Sequence, residues 1–225
     1  MNFSKASQGL NLVKSYLSNI TQVDNTSIIK SNKTISWNNR KTGIHKNNYY
    51  PLEYQYILDL QQYSFLLSDS SFFQFYYNFD SNGALYHARL AYYPRPINSK
   101  DSYEELFDEA ENALERENNN LSEHLYNLTE LIEIKKQYPS NTSHIRFDFD
   151  QKVKSHSESH IQFSGIQELR IPANFFPLPL SFVQLCESIF LDKNTGLNES
   201  DLKFDRNNIL KSLNNTDQII SLRFS

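Results

Sequence analysis

Between His144 and Pro172 the chain gathers three histidines (His144, His156, His160), Asp148, Asp150, Glu168, Arg146 and Arg170. Imidazole nitrogens and carboxylate oxygens suit zinc, manganese or magnesium. A divalent ion held by His156, His160 and Asp148 could activate water or neutralise a phosphate in transfer. The same three groups could instead do acid–base work. Arg146 and Arg170 are the residue type that grips phosphate or carboxylate in a bidentate way, with His144 and Asp150 as further binding groups. Two other readings stand beside these. The charges could simply form cross-strand ion pairs, Arg146 and Arg170 against Asp148 and Glu168, or they could form a protein-contact surface. Spacing alone does not fix a metal set, because the four-residue gap from His156 to His160 spans a loop and a strand start rather than one helix face.

What must position these groups is a run of three short strands. Ile145, Phe147 and Phe149 alternate with His144, Arg146, Asp148 and Asp150, then Ile161 and Phe163 with His160, Gln162 and Ser164, then Leu169 and Ile171 with Glu168 and Arg170. Strict alternation marks half-buried strands. Adjacent antiparallel strands that share an apolar face also share their polar one. Upstream, Phe72–Asp80 and Leu85–Tyr93 flank the turn Ser81-Asn82-Gly83 and read as a hairpin. Its residues His87 and Arg89 point away from the apolar side and would join the polar surface if both blocks lie in one sheet.

The remaining elements follow from helical periodicity and turn chemistry. Phe3, Ala6, Leu10, Val13, Leu17 and Ile20 predict a helix over 3–20. Residues 24–50 are polar and locally basic, with Lys30, Lys33, Arg40, Lys41, His45 and Lys46 around Trp37. Thr34–Trp37 reads as a strand there, and the mixture of basic and aromatic residues is one that single-stranded nucleic acid uses. Leu52–Gln62 is ambiguous between helix and strand. Asp101–Glu117 is a strongly acidic helix with Leu106, Phe107, Ala110 and Leu114 as its apolar stripe. Leu121–Tyr138 continues as a second helix until Pro139. Leu180–Leu191 reads as a buried helix, Arg206–Leu213 as a short helix and Ile219–Phe224 as a closing strand.

Composition excludes several classes. Net charge is −4, which disfavours general coating of phosphate backbones but not a local basic patch. The single Cys186 permits no intrachain disulfide and sits among apolar neighbours, as a small core residue does. No stretch approaches the ~20 apolar residues that span a bilayer, and the expectation is a cytoplasmic protein with no membrane contact. Only five glycines occur, none spaced as a phosphate loop or dinucleotide fingerprint.

The ordered segments Tyr63-Ser64, Leu67-Ser68-Asp69-Ser70-Ser71, Arg89-Leu90-Ala91-Tyr92-Tyr93-Pro94, His144-Ile145-Arg146-Phe147-Asp148, Ser155-His156 with His160, and Arg170-Ile171-Pro172 resemble an uncharacterised bacterial domain-of-unknown-function family over roughly residues 50–192. That pattern has a proline after its first histidine, where this chain has Ser157. The resemblance brings no assigned activity; it implies a setting among mobile-element or phage-defence genes.

The expected fold is α+β: a mostly antiparallel sheet with helices packed on its apolar face. A single domain over 1–225 would have its core at about 50–192, the N-terminal helix 3–20 and a helical insertion at 100–138. The expected function is that of a defence-associated accessory or effector acting on nucleic acid or another phosphate-containing ligand. The alternative is a non-enzymatic protein-binding module, an inhibitor or scaffold, that uses the acidic helix 101–117 or the polar sheet face.

Overall fold

Six of the eight residues in Phe72–Phe79 are aromatic, side chains that fit a pleated, half-buried surface. In the computed structural model, which describes residues 1–43, 50–96, 103–135, 143–163 and 170–190, that run is the spine of a nine-stranded sheet. The described elements in chain order are helix α1 (Phe3–Tyr16), strands β1 (Thr21–Asp24), β2 (Thr26–Ile29) and β3 (Thr34–Trp37), helix α2 (Tyr50–Asp59), and strands β4 (Phe65–Leu67), β5 (Phe72–Phe79) and β6 (Leu85–Tyr93). Helices α3 (Tyr103–Glu115) and α4 (Asn119–Lys135), strands β7 (Ile145–Asp150), β8 (Ser159–Phe163) and β9 (Ile171–Pro172), and helix α5 (Pro179–Phe190) complete them. The fold is α+β, and every described strand pair is antiparallel.

The sheet runs β1-β4-β5-β6-β7-β8-β9 and forks at β5. One edge of β5 pairs with β4 at Phe72 and Phe73 and with β3 at Tyr77 and Asn78. Between the two arms, the backbone N–H of Phe75 donates to Ser64 Oγ at 2.9 Å and the Gln74 amide donates to the Gln62 carbonyl at 2.6 Å. Side chains thus replace the missing ladder bonds, as buried backbone groups require.

Alternation assigns the two faces. Phe73, Phe75, Tyr77, Leu90, Tyr92, Ile145, Phe147 and Phe149 join one core with Leu10 and Val13 of α1 and Phe182 and Val183 of α5. The residues between them, Phe72, Ala91 and Tyr93, point to the opposite face, where Tyr50, Tyr54 and Ile57 of α2 cover them. A helix therefore sits on the second face too, over one end of it. The polar residues of that face extend beyond it.

The chain forms two compact units, Met1–Arg95 with Ser143–Ser225, and Pro96–Thr142. In the second, α3 and α4 bury Leu106, Ala110 and Ala113, and Phe107 meets Tyr126 edge-on at 5.5 Å. Leu114, expected on the buried stripe, is 53% exposed, because a 3.6-residue repeat from Leu106 and Ala110 reaches Ala113 and turns the next residue outward. Asn118 caps α4 by accepting from the Leu121 N–H at 3.3 Å.

The ambiguous stretch Leu52–Gln62 is helix α2 with a short tail, and the hairpin of β2 and β3 adds a strand the sequence did not signal. Glu168 and Leu169, His45 and Lys46, the helix expected at Arg206–Leu213 and the strand expected at Ile219–Phe224 lie outside the described residues. Among the described residues no helix is long and apolar enough to cross a membrane.

Candidate functional site: a guanidinium row on the polar sheet face

Register lines up the polar residues strand by strand. Tyr76 of β5 faces Arg89 of β6, Arg89 faces Asp148 of β7, and Asp148 faces His160 of β8. One row along, Gln74, Ala91, Arg146 and Gln162 form a parallel line. The two strand blocks are thus neighbours in one sheet, and His87 and Arg89 do join the surface of Arg146 and Asp148.

Asp148 is the hub. Its Oδ1 accepts from Arg89 Nε at 2.8 Å and its Oδ2 from Arg146 Nε at 2.8 Å. Burial works to raise its pKa, but the two guanidiniums overcome this and hold the carboxyl well below its ordinary value of 3.8. Arg146 Nη2 also donates to Gln162 Oε1. The Gln162 amide in turn donates to His160 Nε2 at 2.6 Å. With Nε2 accepting, the His160 proton sits on Nδ1, 3.2 Å from the Ser157 carbonyl. His156 Nδ1 lies 2.9 Å from the same oxygen, and the two imidazoles meet edge-on at 4.6 Å. Burial pushes the His160 pKa down to about 4, although Asp148 opposes the shift. His160 is neutral near pH 7, and Asp148 is ionised and committed to two arginines.

A third guanidinium approaches from the other side. Arg40 lies 3.7 Å from the centre of the Tyr76 ring and 5.6 Å from that of Trp37, a cation–π arrangement. Gln62, which is buried, places it. Its Oε1 accepts from Trp37 Nε1 at 3.1 Å and from the Lys41 N–H at 2.7 Å, and its amide donates to the Asn39 carbonyl at 3.0 Å. Asn39 adopts a left-handed φ of 54°, a conformation asparagine tolerates, and this bends the chain back over the sheet. Burial, reinforced by Arg89, lowers the Arg40 pKa. Three guanidiniums therefore share one face with Asp148 between two of them.

His144 and Asp150, also expected in the site, stand apart from this row, whereas Arg170 is near enough to His160 to help lower its pKa. His144 lies on the same face but at the end covered by α2, buried against Tyr93 at 4.9 Å and Tyr50 at 6.2 Å, with Nδ1 3.9 Å from Glu53. Asp150 pairs in register with His87 and accepts from the Lys152 N–H at 2.8 Å, so it serves the turn after β7. Arg170 is exposed, one residue before β9. Of the expected ion pairs, Asp148 takes Arg146 and adds Arg89, while Glu168 lies outside the described residues. For the divalent ion that His156, His160 and Asp148 were read as able to hold, no group of three or more His, Cys, Asp or Glu side chains comes together among the described residues. His160 Nε2 lies 4.0 Å from Asp148 Oδ2, and a cation there would face two guanidiniums.

Sequence reasoning passed over Tyr76 and Gln62. The aromatic-and-basic composition around Trp37 was the signal for Arg40, but nothing local tied that segment to β5.

A family model described as an uncharacterized conserved protein, DUF2290, matches residues 18–222. The chain belongs to the DUF2290 family. The DUF2290 match takes in the whole guanidinium row and reaches well beyond residues 50–192, so Trp37 and Arg40 fall inside it. No curated protein and no solved structure matches the chain.

Proposed function

We propose that the polar sheet face is a binding surface for the phosphate groups of a nucleic-acid-type ligand, and that it binds rather than reacts. The observation that carries this is the placement of Arg40, Arg89 and Arg146 across β5 to β7 beside the half-buried Tyr76 and Gln162. Asp148 orients Arg89 and Arg146 through their Nε atoms. The terminal nitrogens of Arg89 make no hydrogen bond to the described protein, so they are open to phosphate oxygens in the fork geometry. Strands stand ~4.8 Å apart, which spreads the three cations over about 10 Å, the span of two or three nucleotides. An aromatic ring beside such a row favours single strands, whose bases are free to stack. The proposal does not rest on a defence setting.

Fluorescence anisotropy with labelled single-stranded DNA, single-stranded RNA and duplex, across a salt series, tests it. Single strands are expected to bind more tightly than duplex, and Arg146→Gln is expected to weaken binding about tenfold and shallow the salt dependence by about one ion. Affinity unchanged in Arg146→Gln would overturn the reading. Adding magnesium or manganese with His160→Ala as control tests chemistry in the same tubes, with no His160-dependent cleavage expected.

One observation favours a protein contact elsewhere. Leu114 and Leu121 are 53% and 43% exposed in the helical unit, where α3 carries acidic residues from Glu104 to Glu115. A basic partner with an apolar anchor would suit that surface, and loss of partner capture on charge reversal of Glu104, Glu105 and Glu109 is the expected sign.

A further inference from the structure

Beside Arg40, at the fork in the sheet, the face hollows into an open concavity of about 420 Å³. That lies within the ~300–1,000 Å³ typical of small-ligand sites. Its walls come from the β2–β3 hairpin, the Trp37–Arg40 bend and the β5 residues Tyr76 and Asn78. Asn78 is paired with Thr34 in register, and its amide donates to Thr34 Oγ1 at 3.1 Å. The side-chain oxygen of Asn78 makes no hydrogen bond to the described protein.

Two wall atoms have unmet hydrogen-bonding capacity. Ser36 is only 5% exposed and lines the concavity, yet its Oγ has no partner among the protein atoms. Arg40 Nε, also buried, has none either. A buried hydroxyl and a buried charged donor left unpaired each carry a desolvation cost of about 1–3 kcal/mol or more. Natural interiors rarely leave such groups unmatched. Both belong to residues that line the concavity.

The chemistry of the walls selects the ligand. Trp37, only 5% exposed, and the partly exposed Tyr76 line the wall and give it an aromatic side that suits a base. Ser36, Asn38 and Asn78 offer the paired donors and acceptors that base edges and ribose hydroxyls need. Arg40 is stacked on Tyr76 and partly exposed where it lines the concavity, so its guanidinium plane is fixed beside the space a phosphate would take. Building on the anion-binding reading of the same face, we propose that this concavity holds one nucleoside monophosphate unit, with the base on the Trp37 side and the phosphate on Arg40. The unit is either a free nucleotide or the end of a single strand whose next phosphates run toward Arg89 and Arg146.

Trp37 is the only tryptophan in the chain, so the intrinsic tryptophan fluorescence of this 225-residue chain reports on the concavity alone. The probes are AMP, CMP, GMP and UMP, inorganic phosphate, and a single-stranded oligonucleotide. At least one nucleotide or the oligonucleotide is expected to change Trp37 emission saturably, with inorganic phosphate silent and Arg40→Gln weakening the effect about tenfold. Free nucleotides acting without the oligonucleotide would identify the small-molecule source, and the reverse would identify a strand end; either supports the assignment. A ligand-dependent rise in the melting temperature of the unaltered protein gives a second readout that needs no variant. Oligonucleotide binding that depends on Arg146 but leaves Trp37 emission unchanged would overturn this site and leave the wider binding face standing. No binding by any probe would overturn both.

Discussion

Replacing Asp148 with asparagine removes the charge that holds Arg89 and Arg146 while keeping the side chain's shape. The carboxylate is 13% exposed, Arg146 14% and Arg89 26%. Removing one partner of a buried ion pair costs about 3–5 kcal/mol, because the other charge is left uncompensated. Asparagine retains one carbonyl acceptor and Arg89 is partly wetted, which brings the expected loss to about 2–4 kcal/mol. With a urea m-value of about 2 kcal/mol/M the midpoint falls by about 1–2 M at unchanged slope. The gap also depends on pH. The folded carboxyl titrates below its unfolded value of 3.8, so its stabilisation is present above that value and is lost as pH falls toward the folded one. Near pH 3 an unfolded carboxyl titrating at 3.8 has already recovered about 1.2 kcal/mol by protonation, and the gap between variant and wild type should shrink by that amount. Phosphate affinity should move the other way, rising about fivefold as two guanidiniums lose their internal acceptor. A gap below about 1 kcal/mol at pH 7, or one that does not narrow near pH 3, would refute Asp148 as the ionised hub.

Two further outcomes are expected. His160 stays neutral in the fold down to about pH 4, whereas an unfolded histidine takes its proton near 6.5. Stability should therefore fall from pH 6.5 toward 4, by about 2 kcal/mol near pH 5. Urea titrations of His160→Gln should lack that component. In α1, a Cβ on Gly9 would stand 2.9 Å from Pro179 Cδ. Because that ring is held at the start of α5, Gly9→Ala should lower the melting temperature, an overpacking cost of about 1–3 kcal/mol exceeding the ~1 kcal/mol gain in helix propensity.

The sheet was legible because its signal is local. Phe147 and Phe149 alternate with Arg146, Asp148 and Asp150 whatever surrounds them, and Ser81-Asn82-Gly83 marks its hairpin by turn chemistry. β1 and β2 were not legible, since they are short and present residues such as Val23 and Ile29 to solvent at 39% and 43% exposure. Alternation put His144 on the correct face but could not tell that Tyr50 and Tyr93 enclose it. The ion-pair reading named Arg146 with Asp148 but not Arg89, because Arg89 is far away in the sequence and only the pairing of β6 beside β7 brings it to Asp148. Arg40 depended on Gln62 fixing a distant bend, and no local pattern carries that.

The contact between α1 and α5 bears on the order in which the protein can be built. Gly9 seats against Pro179, and the Tyr16 hydroxyl donates to Glu187 at 2.7 Å. On a translating ribosome adding about 5–20 residues per second, α1 emerges some 10–30 s before the helix it must meet. During that interval Phe73, Phe75 and Tyr92, which pack with Phe182 in the finished protein, have no α5 to cover them. The nascent chain thus carries an open aromatic face for much of its synthesis, and α1 must wait for α5 before it finds its place.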